Sequence, residues 1–238
     1  MAKIKKAVVL AGGLGTRLRP YTLFVPKPML PLGDKPMLEH LLEWLKRNEI
    51  DNVLICTSYL GRVIEEYFDD RSDLGIQVSF YRTPRVMGTA GQLKSAEKAI
   101  DSAFVCVYGD SVFNFRLKPL IEFHQKKRAK VTMVLMKYNT TLRYGFIDID
   151  KGGRVRSWRE KPQVSGLVNA GCYVMEKSFL KYIPKGTMFG MDQAFNMAKE
   201  DGAPVFGYQA KGEFIDIGDR QAYAAANNQY LGRLGKVL

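Results

Sequence analysis

Leu10-Ala11-Gly12-Gly13-Leu14-Gly15-Thr16-Arg17-Leu18-Arg19-Pro20 follows directly on the apolar run that starts at Lys6 and passes through Ala7, Val8 and Val9. A short continuous apolar run stopped by a glycine cluster reads as a strand buried on both faces. The same punctuation recurs down the chain. Met37–Lys46 sets Leu38, Leu41, Leu42 and Leu45 at helical spacing. Val53–Cys56 reads as a second buried strand, Arg62–Phe68 as a short helix, Ile76–Phe80 as an alternating strand and Gly91–Ile100 as a helix. Phe104–Tyr108 is another buried strand, Leu117–Lys127 is helical and Val131–Met136 is a further strand. Strands alternating with helices predict an α/β fold with a doubly wound, mostly parallel sheet.

Beyond Lys137 the pattern changes. Phe146–Asp150, Gly152-Gly153 and Arg154–Trp158 read as a β-hairpin with a glycine turn. Asn169–Met175 and Pro204–Tyr208 are further strands with a helix, Met191–Lys199, between them. Phe214–Ile217 is a last strand before a helical tail from Arg220 to about Tyr230. No linker or repeat interrupts the chain. One domain over 1–238 is expected, with a larger lobe at 1–136, a smaller β-rich lobe at 137–218 and the tail at 219–238.

The composition narrows the function classes. The chain has 238 residues, 46% hydrophobic and 25% charged, which places it among globular chains and excludes disordered or collagen-like ones. No apolar run approaches the ~20 residues needed to cross a bilayer. The lysines and short apolar run at the N-terminus are too brief for a signal peptide, so a soluble cytoplasmic protein with no membrane partner is expected. Lys and Arg number 36 against 24 Asp and Glu, a net charge of +12 that favours anionic partners. The basic residues are dispersed, with clusters no longer than Lys126-Lys127-Arg128 and no aromatic-lined basic stripe, so nucleic acid is not the expected partner. Cys56, Cys106 and Cys172 each lie in an apolar strand-like run, and with His40 and His124 they form no zinc-ligand spacing. Buried free thiols in a reducing compartment are expected.

In a doubly wound sheet the loop after the first strand lies at the carboxyl edge, where ligands bind. Gly12, Gly13 and Gly15 let backbone approach a ligand closely, and Arg17 adds a bidentate donor suited to phosphate. The dinucleotide fingerprint would need glycine where Leu18 stands, and no Gly-Lys-Ser/Thr of a P-loop occurs. Val25-Pro26-Lys27-Pro28-Met29-Leu30-Pro31 follows. Prolines flanking Lys27 are expected to hold an extended backbone and restrict where its ammonium points, as a polyphosphate ligand requires.

These two stretches resemble the signature of the sugar-1-phosphate nucleotidyltransferases, and the resemblance runs over almost the whole chain. Gly88-Thr89-Ala90-Gly91, Gly109-Asp110, Glu160-Lys161-Pro162, Asn169-Ala170-Gly171 and Asp216-Ile217-Gly218 occur in the family's order. The resemblance implies a Rossmann-like nucleotidyltransferase fold with a sugar-binding lobe. It also implies a reaction of NTP with sugar-1-phosphate giving NDP-sugar and pyrophosphate, with Mg²⁺ as cofactor. Carried over residue by residue, Leu10, Ala11, Gly12, Gly13, Gly15, Thr16, Thr83, Gly88 and Thr89 would hold the nucleotide. Arg17 would meet the β- and γ-phosphates, and Lys27 the α-phosphate and the transition state. Asp110 and Asp216 would be the metal ligands, making Arg17, Lys27, Asp110 and Asp216 the catalytic set. Gly145, Glu160, Lys161 and Asn169 would form the sugar-phosphate side, while Trp158 is expected to pack.

Gly88-Thr89-Ala90-Gly91 is closer to the mannose- and heptose-1-phosphate guanylyltransferase version of its motif than to the thymidylyl version. Thr83, however, stands where those relatives carry an acidic residue. GTP is favoured, with mannose-1-phosphate or a related sugar phosphate as the expected acceptor; the alternative is a uridylyl- or thymidylyltransferase acting on glucose-1-phosphate or another hexose-1-phosphate. No hexapeptide periodicity announces a C-terminal β-helix, so no second activity is expected. The tail, with Tyr230, Leu231 and Leu234, has two open roles: packing on its own core or contributing to a homo-oligomer interface. The competing classes are a nucleotide-sugar-binding regulatory subunit without turnover and a nucleic-acid-binding protein.

Overall fold

Alternation along the first strand lets it support two cores. In the computed structural model, which describes residues 3–69 and 71–234, Ala7 and Val9 face one hydrophobic cluster and Val8 and Leu10 the other, all of them buried. In chain order the elements are β1 (Lys6–Leu10), the two-residue strands β2 (Pro31–Leu32) and β3 (Lys35–Pro36), α1 (Met37–Arg47), β4 (Asn52–Thr57) and α2 (Gly61–Phe68). Next come β5 (Gln77–Arg82), α3 (Gly88–Ser95), β6 (Phe104–Tyr108), β7 (Ser111–Phe113), α4 (Leu117–Lys126) and β8 (Val131–Thr141). The chain ends with β9 (Phe146–Ile149), β10 (Val155–Arg159), β11 (Gln163–Met175), α5 (Met191–Glu200), β12 (Val205–Gln209), β13 (Phe214–Asp216) and α6 (Arg220–Leu234).

Seven strands form the main sheet in the order β12-β8-β11-β6-β1-β4-β5. β1 pairs in parallel with β4 and β6, β4 with β5, and β8 with β12, while β11 runs antiparallel to β6 and β8. The fold is therefore α/β with a mostly parallel central sheet. From β1 the chain builds outward to β4 and β5, then returns to lay β6 on the opposite side of β1. That reversal creates a crevice at the carboxyl ends of β1 and β6, the switch point at which open α/β sheets take ligands. Smaller antiparallel pairs, β9 with β10, β7 with β13 and β2 with β3, surround the sheet.

On one face α1 buries Leu38, Leu41, Leu42 and Leu45 completely, and Trp44 donates its indole N–H to the Phe115 carbonyl at 2.8 Å. On the other, Ala90 and Leu93 of α3 pack with Phe104, Phe179 and Phe195. The helix expected over Gly91–Ile100 begins earlier, at Gly88, and ends at Ser95, followed by a separate 3-10 turn at Glu97–Ala99. The Ser95 hydroxyl donates back to the Gly91 carbonyl at 2.8 Å, a local bond that competes with helical continuation. The strand expected from Asn169 begins at Gln163, and β11 and β12 join the main sheet.

The tail packs on its own chain. Tyr223 donates its hydroxyl to the Pro31 carbonyl at 2.8 Å, Asn227 accepts the Gly33 N–H at 2.8 Å, and Ala226 is buried with Leu18, Leu30 and Ile217. Tyr230 meets His40 edge-on at 4.9 Å, Leu231 stays exposed, and the Leu234 side chain lies outside the described residues. No described helix is long and apolar enough to cross a membrane.

Cys56, Cys106 and Cys172 are free and buried in β4, β6 and β11 of the main sheet. Burial pushes the Cys56 thiol up to about 12 and raises the other two, so the reactive thiolate is suppressed. A thiol reagent at pH 8 should label less than ~0.1 equivalent in the folded protein within minutes and all three cysteines after denaturation. Rapid labelling of the native protein would contradict this burial.

Candidate active site

The crevice at the switch point opens into a cavity of about 470 Å³, within the range of small-molecule sites. Its walls include Leu10 to Gly13 after β1, Arg17, Lys27, Asp110 after β6, and Asp216 at the end of β13. The glycine loop folds into a 3-10 turn at Thr16–Leu18. Gly15 enters that turn in the left-handed region at φ 62°, and a Cβ there would come within 2.9 Å of Thr22 and 3.3 Å of the Lys27 Cβ. A residue with a side chain would be strained and would push Lys27 away. Thr22 fixes the loop by donating its hydroxyl to the Gly15 carbonyl at 2.8 Å.

Lys27 does not lie on an extended segment. Lys27–Met29 is a 3-10 turn, closed by Met29 N–H to the Pro26 carbonyl at 2.8 Å and Leu30 N–H to the Lys27 carbonyl at 3.2 Å. Extended backbone is confined to the flanking Pro26 and Leu30, and Pro28 supplies a helix-compatible φ inside the turn. The result is still a fixed lysine, with its side chain only 11% exposed. Its ammonium donates to Asp110 and lies 3.7 Å from Asp216. β7 and β13 pair directly beside this point, with Asp216 opposite Ser111, and so bring together two carboxylates 106 positions apart in sequence.

Desolvation by the cavity walls raises the Asp216 carboxyl above its ordinary range, opposed by the Lys27 ammonium, reinforced by Asp110 and opposed again by Arg17. Among the described residues no group of three or more His, Cys, Asp or Glu side chains could hold a metal by itself. Asp110 and Asp216 nevertheless offer hard oxygen donors already gathered around a cation. That is the donor chemistry of Mg²⁺, which keeps several waters and adds substrate phosphates to one or two carboxylates.

Leu10, Ala11, Gly12, Gly13, Gly15, Thr16, Arg17, Lys27, Gly88 and Thr89 all line the cavity. Thr83 does not: it is 2% exposed, and its hydroxyl donates to the Thr57 carbonyl at 3.1 Å. The N-terminus of α3 is partly engaged within the protein, since Ala90 and Gly91 donate their N–H groups to the Phe189 carbonyl at 3.0 and 3.1 Å. Thr89 accepts the Met191 N–H at 2.9 Å and so ties α3 to α5.

Of the four sugar-side residues, Asn169 reaches the cavity wall. Its amide donates to the Tyr173 hydroxyl at 2.8 Å and its oxygen accepts the Gly171 N–H at 3.1 Å. Tyr173 passes this on to Tyr108 at 3.1 Å, making a rigid polar wall. Gly145, Glu160 and Lys161 stand at the base of the β9–β10 hairpin, off the cavity wall. A Cβ on Gly145 would lie 2.7 Å from a Glu160 carboxylate oxygen, so the two are neighbours. Trp158 does not pack: it is 65% exposed and donates its indole N–H to Glu160 at 3.0 Å. A two-stranded hairpin has no second layer to bury a large ring.

Residues given no site role from the sequence also line the cavity, among them Met87, Gln92, Tyr108 and Ser111. Gln92 stands four positions after Gly88, on the same helix face, and that spacing was the available signal.

Comparison with known proteins follows the same lines. Residues 6–233 match the family described as Nucleotidyl transferase. The UTP–glucose-1-phosphate uridylyltransferase of Synechocystis sp. is 31% identical over 96% of this chain and 64% of its own length. The mannose-1-phosphate guanylyltransferase of Mycobacterium tuberculosis is 35% identical over 89% of this chain and 60% of its own. The chain thus spans less than two thirds of either relative. HddC from Yersinia pseudotuberculosis, solved as a complex with GMP-PN, matches with a TM-score of 0.76 at 28% identity, covering 95% of this chain and 100% of that one.

Proposed function

The chain belongs to the nucleotidyl transferase family, and on that premise we propose that it transfers a nucleotidyl group from a nucleoside triphosphate to a sugar-1-phosphate. The observation that carries this reading is the Lys27 ammonium set between Asp110 and Asp216 beside the glycine loop. A phosphate oxygen of the sugar-1-phosphate attacks the α-phosphorus, the bond from the α-phosphorus to the bridging oxygen of the β-phosphate breaks, and pyrophosphate leaves. The attacking oxygen is already anionic at neutral pH, so no general base is required. The protein's task is to align two polyanions and offset their charge.

In this reading the backbone of Gly12 to Gly15 and the Arg17 guanidinium hold the triphosphate. Lys27 meets the charge that grows at the α-phosphate. Asp110 and Asp216 would hold Mg²⁺, which supplies Lewis-acid charge to the phosphate oxygens. Asn169 and the hairpin residues Gly145, Glu160 and Lys161 take the sugar-phosphate. The nucleotide is assigned as GTP and the acceptor as mannose-1-phosphate or a related sugar phosphate. The guanylyltransferase relative and the GMP-PN complex of HddC support that assignment. The uridylyltransferase relative makes UTP with glucose-1-phosphate the second reading. Three buried unpaired cysteines accord with a reducing compartment such as the cytoplasm.

The test is pyrophosphate release with Mg²⁺ across GTP, UTP, dTTP, ATP and CTP, crossed with mannose-, glucose-, N-acetylglucosamine- and heptose-1-phosphates. Release with GTP and a single sugar is expected. Release only with UTP or dTTP would replace the guanylyl assignment. Nucleotide binding without release from any pair would point to a regulatory subunit. In the same assay Lys161→Ala should raise the sugar-phosphate KM by about 10- to 100-fold, the loss of one charge-assisted hydrogen bond, and leave the nucleotide KM within a factor of about two. The reverse split would overturn the placement of the sugar-phosphate at the hairpin.

A further inference from the structure

Gln92 presents a hydrogen-bond donor that no described residue uses. The residue is 5% exposed and lines the cavity. Its side-chain oxygen accepts the Gly12 N–H at 3.4 Å, which sets the orientation of the carboxamide. Its nitrogen has no hydrogen-bond partner among the described residues. All fully enclosed side-chain nitrogens and oxygens of the described residues are partnered, so the Gln92 NH₂ borders open space, and the space beside it is the cavity. Gly12 makes room for it: a Cβ there would sit 1.8 Å from the Gln92 nitrogen.

The charged residues of the cavity wall are Arg17, Lys27, Asp110 and Asp216, with the Lys27 ammonium beside both carboxylates. The rest of the wall is uncharged and includes Gln92 with Leu10, Ala11, Val86, Met87 and Gly88. A nucleoside triphosphate matches that lining, with its anionic tail suited to the charged residues and its flat, largely apolar base to the uncharged ones. At the base edge, guanine carries an oxygen at position 6 and uracil or thymine an oxygen at position 4, all acceptors. Adenine and cytosine carry amino donors at the same places. A free carboxamide could serve either kind of base by turning over. Here the Gly12 N–H occupies the acceptor end, so only the donor faces the ligand.

We propose that Gln92 is a base-reading residue, donating its carboxamide N–H to the exocyclic oxygen of an oxo base and selecting against the amino bases. This rests on the reading that the cavity takes a nucleoside triphosphate, and it adds the residue that chooses among the bases.

Two variants separate base reading from bracing of the loop. Gln92→Glu keeps an acceptor for the Gly12 N–H and replaces the donor with an oxygen, while Gln92→Met removes both. Pyrophosphate release and calorimetric binding of GTP, UTP, dTTP, ATP and CTP are measured on each, with thermal melting to confirm folding. For the wild-type protein's own oxo nucleotide, kcat/KM should fall by roughly tenfold or more in both variants, while ATP and CTP change by less than about threefold. The oxo-over-amino preference therefore collapses. A uniform loss for all five nucleotides in Gln92→Met, with wild-type preference kept in Gln92→Glu, would overturn the proposal and leave Gln92 as a brace for Gly12. A wild-type preference for UTP or dTTP would remove the guanylyl assignment and leave Gln92 in its role. A preference for ATP or CTP, or no binding of any of the five, would remove the role itself.

Discussion

Lys27→Met is expected to lower turnover by at least about 10³-fold, the scale on which a positioned cation acts in phosphoryl transfer. The lysine is held by a 3-10 turn between two prolines, is 11% exposed, and has Asp110 and Asp216 as its neighbours. Methionine keeps the stem and removes the charge, leaving two carboxylates facing an incoming polyphosphate without the ammonium beside them. Nucleotide affinity should weaken as well, since a fixed positive charge is lost from the phosphate end of the cavity. Lys27→Arg should recover little, because a planar guanidinium is longer and cannot occupy the point between the carboxylates that an ammonium fills. Steady-state pyrophosphate release, with thermal melting as a control for folding, measures this. A folded Lys27→Met protein within about tenfold of wild type would remove Lys27 from the chemistry.

The second large effect falls on the carboxylates. Asp110→Asn and Asp216→Asn should each reduce turnover by at least ~100-fold at saturating Mg²⁺. Both substitutions keep the side-chain shape and one oxygen but remove the charge. The Mg²⁺ concentration needed for half-maximal rate should rise in each variant, a readout that simple loosening of Lys27 would not produce. Unchanged rate and unchanged Mg²⁺ dependence in either variant would take that residue out of the metal-binding pair. The two effects should not add, because Asp110 and Asp216 act on one center with Lys27 between them.

The parts of this arrangement legible from sequence are those written in local patterns. β1 and β6 announce themselves as apolar runs because both faces are covered, and α1 through the spacing of Leu38, Leu41, Leu42 and Leu45. A glycine loop after the first strand then had to lie at the carboxyl edge. What stayed hidden depends on tertiary partners. The pairing of β7 with β13 joins two three-residue strands about a hundred positions apart, too short for periodicity to register. The register of β11 against β8 shifts between Asn169 and Tyr173, an irregularity that shows only in the pairing of the two strands. Trp158 reads as packing in sequence because large rings are usually buried, but the hairpin that carries it has no layer behind it. Thr83 sits at a motif position yet turns inward to Thr57. Gln92 lies outside the quoted motifs; its spacing from Gly88 puts it on the same helix face, but its place against Gly12 comes only from the fold.

In the proposed reaction the α-phosphate group, with its nucleoside, moves to the sugar-1-phosphate. The most direct measurement follows two labels in parallel, GTP carrying ³²P at the α-position and GTP carrying it at the γ-position, each incubated with Mg²⁺ and mannose-1-phosphate. Nucleotidyl transfer puts the α-label in the NDP-sugar and the γ-label in pyrophosphate, with UTP and glucose-1-phosphate run alongside to cover the second nucleotide. Appearance of the γ-label on the sugar product would contradict nucleotidyl transfer and indicate a kinase-type reaction. Retention of both labels in the triphosphate, across every nucleotide and sugar-phosphate pair while nucleotide binding is intact, would contradict catalysis by this site.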